Sequence, residues 1–390
     1  MTYKNHMDNL LEAAIQDGVV PGLAALIDHR DGSRYEAGFG EQVLGSGVNM
    51  DAETVLWLAS MTKAVTGAAV MQQVEHGSLH LDQPASEICH ELKDRPVLAG
   101  FDENGVPILR PAKGTITLRN LLTHTSGFVY DTWDPAMAQY HSVTNTPGVL
   151  SCENAALSVP LGFDPGTEWN YGPGIDWAGK MVERVTGQSL GSYMQEHLFT
   201  PLGMTSTGFR ITASMRTRLA TIYMRTPENS FSAMTDFELP QEPEFEMGGG
   251  GLYSTVNDYG RFLQMILNQG AANNGVPILK PETVAMMSVN QIGARRISGI
   301  KSTDVEFCRD VEFFPGLEKT WGLTFLINEK VAPTGRPRGS LAWCGAANTF
   351  FWIDLTNGFS AILATQTLPF GDPDVLALFD AFEKTLYQNL

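Results

Sequence analysis

Leu58-Ala59-Ser60-Met61-Thr62-Lys63 is the stretch on which the reading of this 390-residue chain turns. An apolar helical pattern runs from about 60 to 76 and stops at Gly77, so Ser60, Lys63 and Gly67 share one face at i, i+3 and i+7. A serine at the first turn of a helix sits where free N–H groups and the macrodipole favour negative charge. A lysine one turn on can take its proton if burial lowers the lysine pKa from about 10.4 toward neutrality. The pair is a candidate nucleophile with its own base, in a motif short enough to occur by chance in many chains.

A second serine competes. Gly187-Gln188-Ser189-Leu190-Gly191 matches the G-x-S-x-G elbow of α/β-hydrolases. An elbow needs a strand before the serine and a histidine base after it in chain order. Here a helical pattern ends at Thr186-Gly187, and the only later histidine is His197. Gly187 therefore reads as a helix C-cap and Ser189 as the N-cap of the next helix.

Working outward, residues 3–17 carry Met7, Leu10, Leu11 and Ala14 at helical spacing. Gly22 to His29 is an apolar strand, Asp31-Gly32 a hairpin turn, and Ser33 to Gly40 the returning strand. From about 80 to 211 strand signals are few and helical segments, clearest at 175–185 and 189–198, alternate with Pro/Gly-rich loops. Beyond Gly248-Gly249-Gly250-Gly251, Ser254-Thr255 with Asp258 close behind reads as the capped start of a helix over 255–268. Strands are expected at 322–330 and 340–354. Thr356-Asn357-Gly358 turns into another at 359–366, and a helix closes the chain at 373–388. The expected fold class is α/β (α+β): one antiparallel sheet, flanked by helices and built from both chain ends, interrupted by a mostly helical insert. The expected domains are 1–80 with 212–390 for the sheet, and 81–211 for the insert.

Composition narrows the function. With 43 acidic against 26 basic residues the net charge is −17, which argues against nucleic-acid binding, since phosphate contacts need a basic surface. Cys89, Cys152, Cys308 and Cys344 are widely spaced, poor material for a disulfide framework or a zinc site. Met1 to His6 offers no apolar signal region and no run of about 18 apolar residues occurs, so the expectation is a cytoplasmic chain without a membrane span. His76 and His80 have metal-ligand spacing, but Gly77 breaks the helix between them and no third ligand is near. No metal or cofactor is expected. The glycine run lacks the Gly-Lys-Ser/Thr of a phosphate loop and reads as a close approach between sheet and helix. His124 reads as structural, holding a loop near the cleft, and Cys344 as a packed thiol.

Leu58 to Lys63 closely resembles the nucleophile motif of the serine β-lactamase-like family, in particular class C β-lactamases and the family VIII carboxylesterases. The resemblance extends in order through His76-Gly77-Ser78-Leu79, Ile116 to Gly127, Pro165-Gly166 with Trp169 and Tyr171, Gly249 to Asp258, and Trp343-Cys344-Gly345. It implies a β-lactamase/transpeptidase-like fold and a catalytic set of Ser60, Lys63 and Tyr171, with Tyr171 passing protons among nucleophile, lysine and leaving group. It also implies an oxyanion hole from the backbone N–H groups of Ser60 and Ala346. Substrate contacts are expected from Trp343, Gly345 and Tyr130. Which of lysine and tyrosine is the formal base stays open at this level.

Two departures from the β-lactamase pattern set the direction. Pro173 stands two after Tyr171, where β-lactamases carry an asparagine, and Trp343 stands where they carry the lysine of K-T-G. An indole cannot attract the carboxylate of a penicillin. The sequence therefore implies a serine carboxylesterase acting on a small-molecule ester, with acyl transfer as a companion activity. A β-lactamase or D-amino-acid peptidase is the alternative within enzymes, and a non-catalytic penicillin-binding-like receptor the alternative outside them.

Overall fold

Strands from both ends of the chain meet in one antiparallel sheet in the computed structural model, which describes residues 3–390. The strands are β1 (Gly22–His29), β2 (Arg34–Gly40), β3 (Lys319–Trp321), β4 (Leu326–Asn328), β5 (Leu341–Gly345), β6 (Thr349–Asp354) and β7 (Phe359–Thr365). Their spatial order is β2-β1-β7-β6-β5-β4-β3, so the N-terminal hairpin docks on the last strand through β1 and β7, from Leu23↔Thr365 to His29↔Phe359. The principal helices are α1 (Tyr3–Gln16), α2 (Thr62–Glu75), α3 (Gly174–Thr186), α4 (Val256–Leu267) and α5 (Pro373–Tyr387).

Both faces of the sheet are covered, which explains why β6 reads Thr-Phe-Phe-Trp-Ile-Asp and is buried at every residue. Alternate side chains leave on opposite faces. Phe350 and Trp352 pack on Phe379 of α5, while Phe351 meets Tyr259 of α4. Full burial of such a side chain contributes about 1.5–3 kcal/mol, so this strand anchors both layers.

Two expected strands divide. The run 322–330 holds a reversal: Gly322 N–H donates to Phe325 O at 2.8 Å, Thr324 takes φ +76°, and β4 turns back on β3 with Leu326 opposite Trp321. The run 340–354 is β5 and β6 joined at Ala346–Asn348, with Asn348 at φ +54°. The Asn348 side chain donates to Thr367 O (2.7 Å) and Pro369 O (2.8 Å), and accepts from Gly371 N–H (2.9 Å). The stretch expected to be poor in strands also carries a hairpin, Pro96–Phe101 with Pro107–Pro111, turned by Asp102, whose carboxylate accepts from Asn104 and Val106 N–H.

The helix ends read from short-range signals are where the sequence put them. Gly187 ends α3 in the left-handed conformation, and Ser189 caps the following helix, accepting from Ser192 N–H. Thr255 caps α4 through Asp258 N–H. All four cysteines are free and buried. Among the described residues no helix is long and apolar enough to cross a membrane, and no three His, Cys, Asp or Glu side chains are grouped to hold a metal ion.

Candidate active site

Ser60 lies in a single 3-10 turn, Ala59–Met61, that leads into α2, so the helix proper begins two residues later than the sequence pattern implied. Ala59, directly before it, has φ +46°, a conformation that costs an alanine about 1–2 kcal/mol and persists because its surroundings impose it. Leu58 N–H is held by Leu252 O at 2.9 Å, and Trp57 is fixed by Gln366, which pairs with its backbone at both N–H (2.9 Å) and C=O (3.1 Å). The turn that carries Ser60 is thus pinned from both sides while Ser60 itself stays half-buried.

Lys63 follows one turn on and is wholly buried. Its Nζ donates to Ser60 Oγ (3.1 Å), Tyr130 OH (3.1 Å) and Gly249 O (2.6 Å), so the three protons of an ammonium would all be used. Burial lowers its pKa to about 7, against the opposing pull of Asp176. Tyr171 shares a hydrogen bond with the Ser60 side chain, and its hydroxyl accepts from Trp343 Nε1 at 3.2 Å. Desolvation pushes both phenols well above their ordinary pKa, so they are neutral donors near pH 7. The structure therefore brings Ser60, Lys63 and Tyr171 into one hydrogen-bonded cluster.

Local sequence explains the tyrosine frame. Tyr130 N–H donates to Tyr171 O (3.2 Å), and Gly172 N–H donates to His124 Nδ1 (3.4 Å). A Cβ on Gly172 would stand 2.0 Å from Phe128 O, so the segments 128–130 and 171–172 approach as closely as glycine allows. His124 is buried against the Tyr171 and Trp321 rings, its pKa driven well below 6.5 by desolvation and by Lys63. It is a neutral ring that accepts from the Gly172 backbone beside Tyr171.

Gly345 closes the other side. A Cβ there would lie 2.2 Å from Leu58 O, which is how tightly the end of β5 abuts the Ser60 turn. Ala346, next along, lines a cleft of about 370 Å³ together with Ser60, Trp57, Tyr130, Trp133 and Met247. Two carboxylates, Asp131 and Asp304, also line it, and no Lys, Arg or His does among the described residues. A larger groove of about 810 Å³ lies between Pro84–Pro96 and the 107–116 segment, away from Ser60 and without a nucleophile paired to a base.

Three placements differ from the sequence reading. Tyr130, expected only as pocket wall, lines the cleft and also contacts Lys63 through its hydroxyl. Trp343, expected to meet substrate, stands behind Tyr171, with ring centroids 5.0 Å apart, and packs edge-on against Trp321. The glycine run sits between two helices rather than between sheet and helix: Gly248 O accepts from Thr66 of α2 (2.7 Å), and Gly249 N–H donates to Asp176 of α3 (2.8 Å). Asp176 and the Gly249 carbonyl escaped the sequence reading altogether. The available signal was a lone acid inside the apolar run Gly174-Ile175-Asp176-Trp177-Ala178-Gly179.

With this geometry in place, the wider comparison is decisive: residues 7–383 match the Beta-lactamase family. The chain belongs to that family. It is 34% identical to the lovastatin esterase of Penicillium rubens, over 98% of each chain. It is 30% identical to the monacolin J acid methylbutanoyltransferase of Aspergillus terreus, over 98% of this chain and 95% of that one. A solved variant of simvastatin synthase from Aspergillus terreus shares the fold with a TM-score of 0.86 at 29% identity, covering 99% of this chain and 97% of that one. The Beta-lactamase family fold thus accounts for the antiparallel sheet and its flanking helices together.

Proposed function

We propose that this chain is a serine esterase that also transfers acyl groups, working through an acyl-enzyme on Ser60. The observation that carries the reading is the fully buried Lys63 ammonium 3.1 Å from Ser60 Oγ, with its pKa lowered to about 7. That is a base tuned to the pH at which it must act. The similarity to an esterase and to a methylbutanoyltransferase, each along nearly the whole chain, supports hydrolysis and transfer on one scaffold.

In the proposed mechanism Ser60 Oγ attacks the ester carbonyl carbon as its proton passes to Lys63. The tetrahedral oxyanion faces the N–H groups of Ser60 and Ala346, donors of a kind worth about 3–4 kcal/mol of barrier each. Tyr171 gives its proton to the departing alkoxide and is reprotonated from Lys63, so the alcohol leaves neutral. Water or a second alcohol then attacks the acyl carbon, its proton returning by the same route, and Ser60 is released. Lys63 rather than Tyr171 is the base in this scheme, because burial raises the phenol pKa and lowers that of the amine.

The cleft suits neutral, largely apolar esters. Trp57, Trp133, Leu150, Met247 and Phe307 contribute its apolar wall, while Asp131 and Asp304 repel an anionic substrate. A β-lactam or D-amino-acid peptide substrate needs a cation for its carboxylate, and Trp343 supplies none. A dead receptor cleft would have no use for a desolvated lysine beside its serine.

The test is hydrolysis of p-nitrophenyl acetate, butyrate and octanoate beside nitrocefin, with wild type and Ser60→Ala. Ester turnover lost in the variant, with little nitrocefin cleavage, is the expected result. Fast nitrocefin cleavage with weak ester turnover would sink the reading.

A further inference from the structure

Asp176 is 1% exposed in the first turn of α3, and one of its carboxylate oxygens is buried with no hydrogen-bond partner. The other accepts from Gly249 N–H at 2.8 Å. The same glycine turns its carbonyl to Lys63 Nζ at 2.6 Å. A Cβ on Gly249 would stand 2.5 Å from the Asp176 carboxylate, so only glycine lets the acid close on this backbone. A buried, half-satisfied carboxylate is costly to the fold, and stability alone gives no reason for it. An asparagine could hold the Gly249 N–H equally well. What aspartate adds is charge.

We propose that Asp176 is a positioning residue for catalysis: through Gly249 it fixes the Lys63 amine toward Ser60, and it supplies the negative charge that keeps that amine basic. This rests on the reading of Ser60 and Lys63 as nucleophile and base. Burial alone would push Lys63 far down, and Asp176 is the largest influence acting in the opposite direction. The influence is mutual, since Lys63 opposes the upward shift that burial gives Asp176, which stands at about 6. Near pH 7 the carboxylate is mostly ionised and the amine close to half-protonated.

The surrounding groups leave this pair as the main charges. Lys180, on the same helix as Asp176, also acts on its carboxylate, from a partly exposed position. Tyr130, Tyr171 and Cys152 feel Asp176, but burial raises the pKa of each, so they are neutral. Around Lys63, the Cys344 thiol is pushed up and the His124 imidazole down by burial, and both are uncharged as well.

The experiment is the pH dependence of kcat/KM for p-nitrophenyl butyrate in wild type, Asp176→Asn, Asp176→Ala and Ser60→Ala. Asparagine keeps the acceptor for Gly249 and removes the charge, so the lysine loses its proton more readily. The acidic limb of the folded Asn variant is expected about one pH unit below that of wild type, the low end of what one nearby charge does. Asp176→Ala is expected to show the same displacement with a lower plateau, because the Gly249 contact is lost too. A limb in folded Asp176→Asn that coincides with wild type overturns the proposal, since a purely structural aspartate predicts that outcome. Turnover surviving in Ser60→Ala would instead mean that the nucleophile assignment is wrong. If Asp176→Asn does not fold, the coupling is read from the other partner by 13C NMR of aspartate carboxyls in wild type and Lys63→Gln. Asp176 is then expected to titrate at higher pH once the lysine is gone, and an unmoved titration overturns the proposal.

Discussion

The indole Nε1 of Trp343 donates to the hydroxyl oxygen of Tyr171 across 3.2 Å, in a cluster closed off by Trp321 and His124. The same phenol shares a hydrogen bond with the Ser60 side chain, so the indole and the serine meet on one hydroxyl. Under the proposed mechanism Trp343 acts on the proton path rather than on the substrate. Where β-lactamases are expected to place a cation for their substrate, this chain holds a donor for its own tyrosine.

Trp343→Phe keeps the ring packing and removes the donor. Losing one hydrogen bond of about 1 kcal/mol predicts a fall of roughly five- to tenfold in kcat. The KM for p-nitrophenyl butyrate is expected to stay near that of wild type. A raised KM with unchanged kcat would mean that the indole touches substrate after all.

The two tyrosines separate in the same way. Tyr171→Phe removes the proposed acid for the leaving alcohol, and kcat is expected to drop by about 10²–10⁴. Tyr130→Phe removes one of three acceptors around Lys63 and leaves Ser60 and Gly249 in place, so a loss nearer tenfold is expected. Single-turnover acylation rates for both variants check the ranking. Equal losses would give the two phenols a shared role.

The pH profile follows from Lys63. Its neutral form accepts the serine proton, so kcat/KM is expected to rise with pH and reach half its plateau near 7. The sign for stability is fixed by the same lowering. Between about pH 7 and 10.5 the unfolded lysine holds a proton that the folded one has lost, so this group's contribution to stability grows with pH across that window. Denaturant midpoints of wild type and Lys63→Met, compared at pH 7 and pH 9, are expected to show wild type gaining relative to the variant at the higher pH.

Apart from the sheet joining both chain ends and what the family resemblance implied, what was legible in the sequence was local. Ser60 and Lys63 are three residues apart, so a helical pattern alone puts them together, and the caps at Gly187, Ser189 and Thr255 are equally short-range. Tyr130 meets Lys63 across 67 residues and Gly249 meets it across 186, distances at which periodicity says nothing. The β3–β4 reversal was hidden for a different reason. Strands and turn are all buried, so the polar break that normally marks a turn is missing between Trp321 and Leu326. Trp343 was misplaced because the direction of its indole depends on pairing with Phe351 and on the neighbours that pairing brings.

Gly345 offers the sharpest test of the oxyanion side. A methyl group there would lie 2.2 Å from Leu58 O and 2.3 Å from Thr349 Oγ1, so one of the two segments must move. The nucleophile turn is the less free of them: Leu58 N–H is bound to Leu252 O, and Trp57 is held at both backbone atoms by Gln366. The end of β5 is then the part that gives way, carrying the Ala346 N–H with it. Losing one such donor costs about 10²–10³ in rate. Gly345→Ala is accordingly expected to lower kcat by about that factor. Overpacking of this kind costs about 1–3 kcal/mol in stability, readable as a lower denaturant midpoint. A folded Gly345→Ala enzyme with wild-type kcat would show that the Ala346 N–H takes no part in holding the oxyanion.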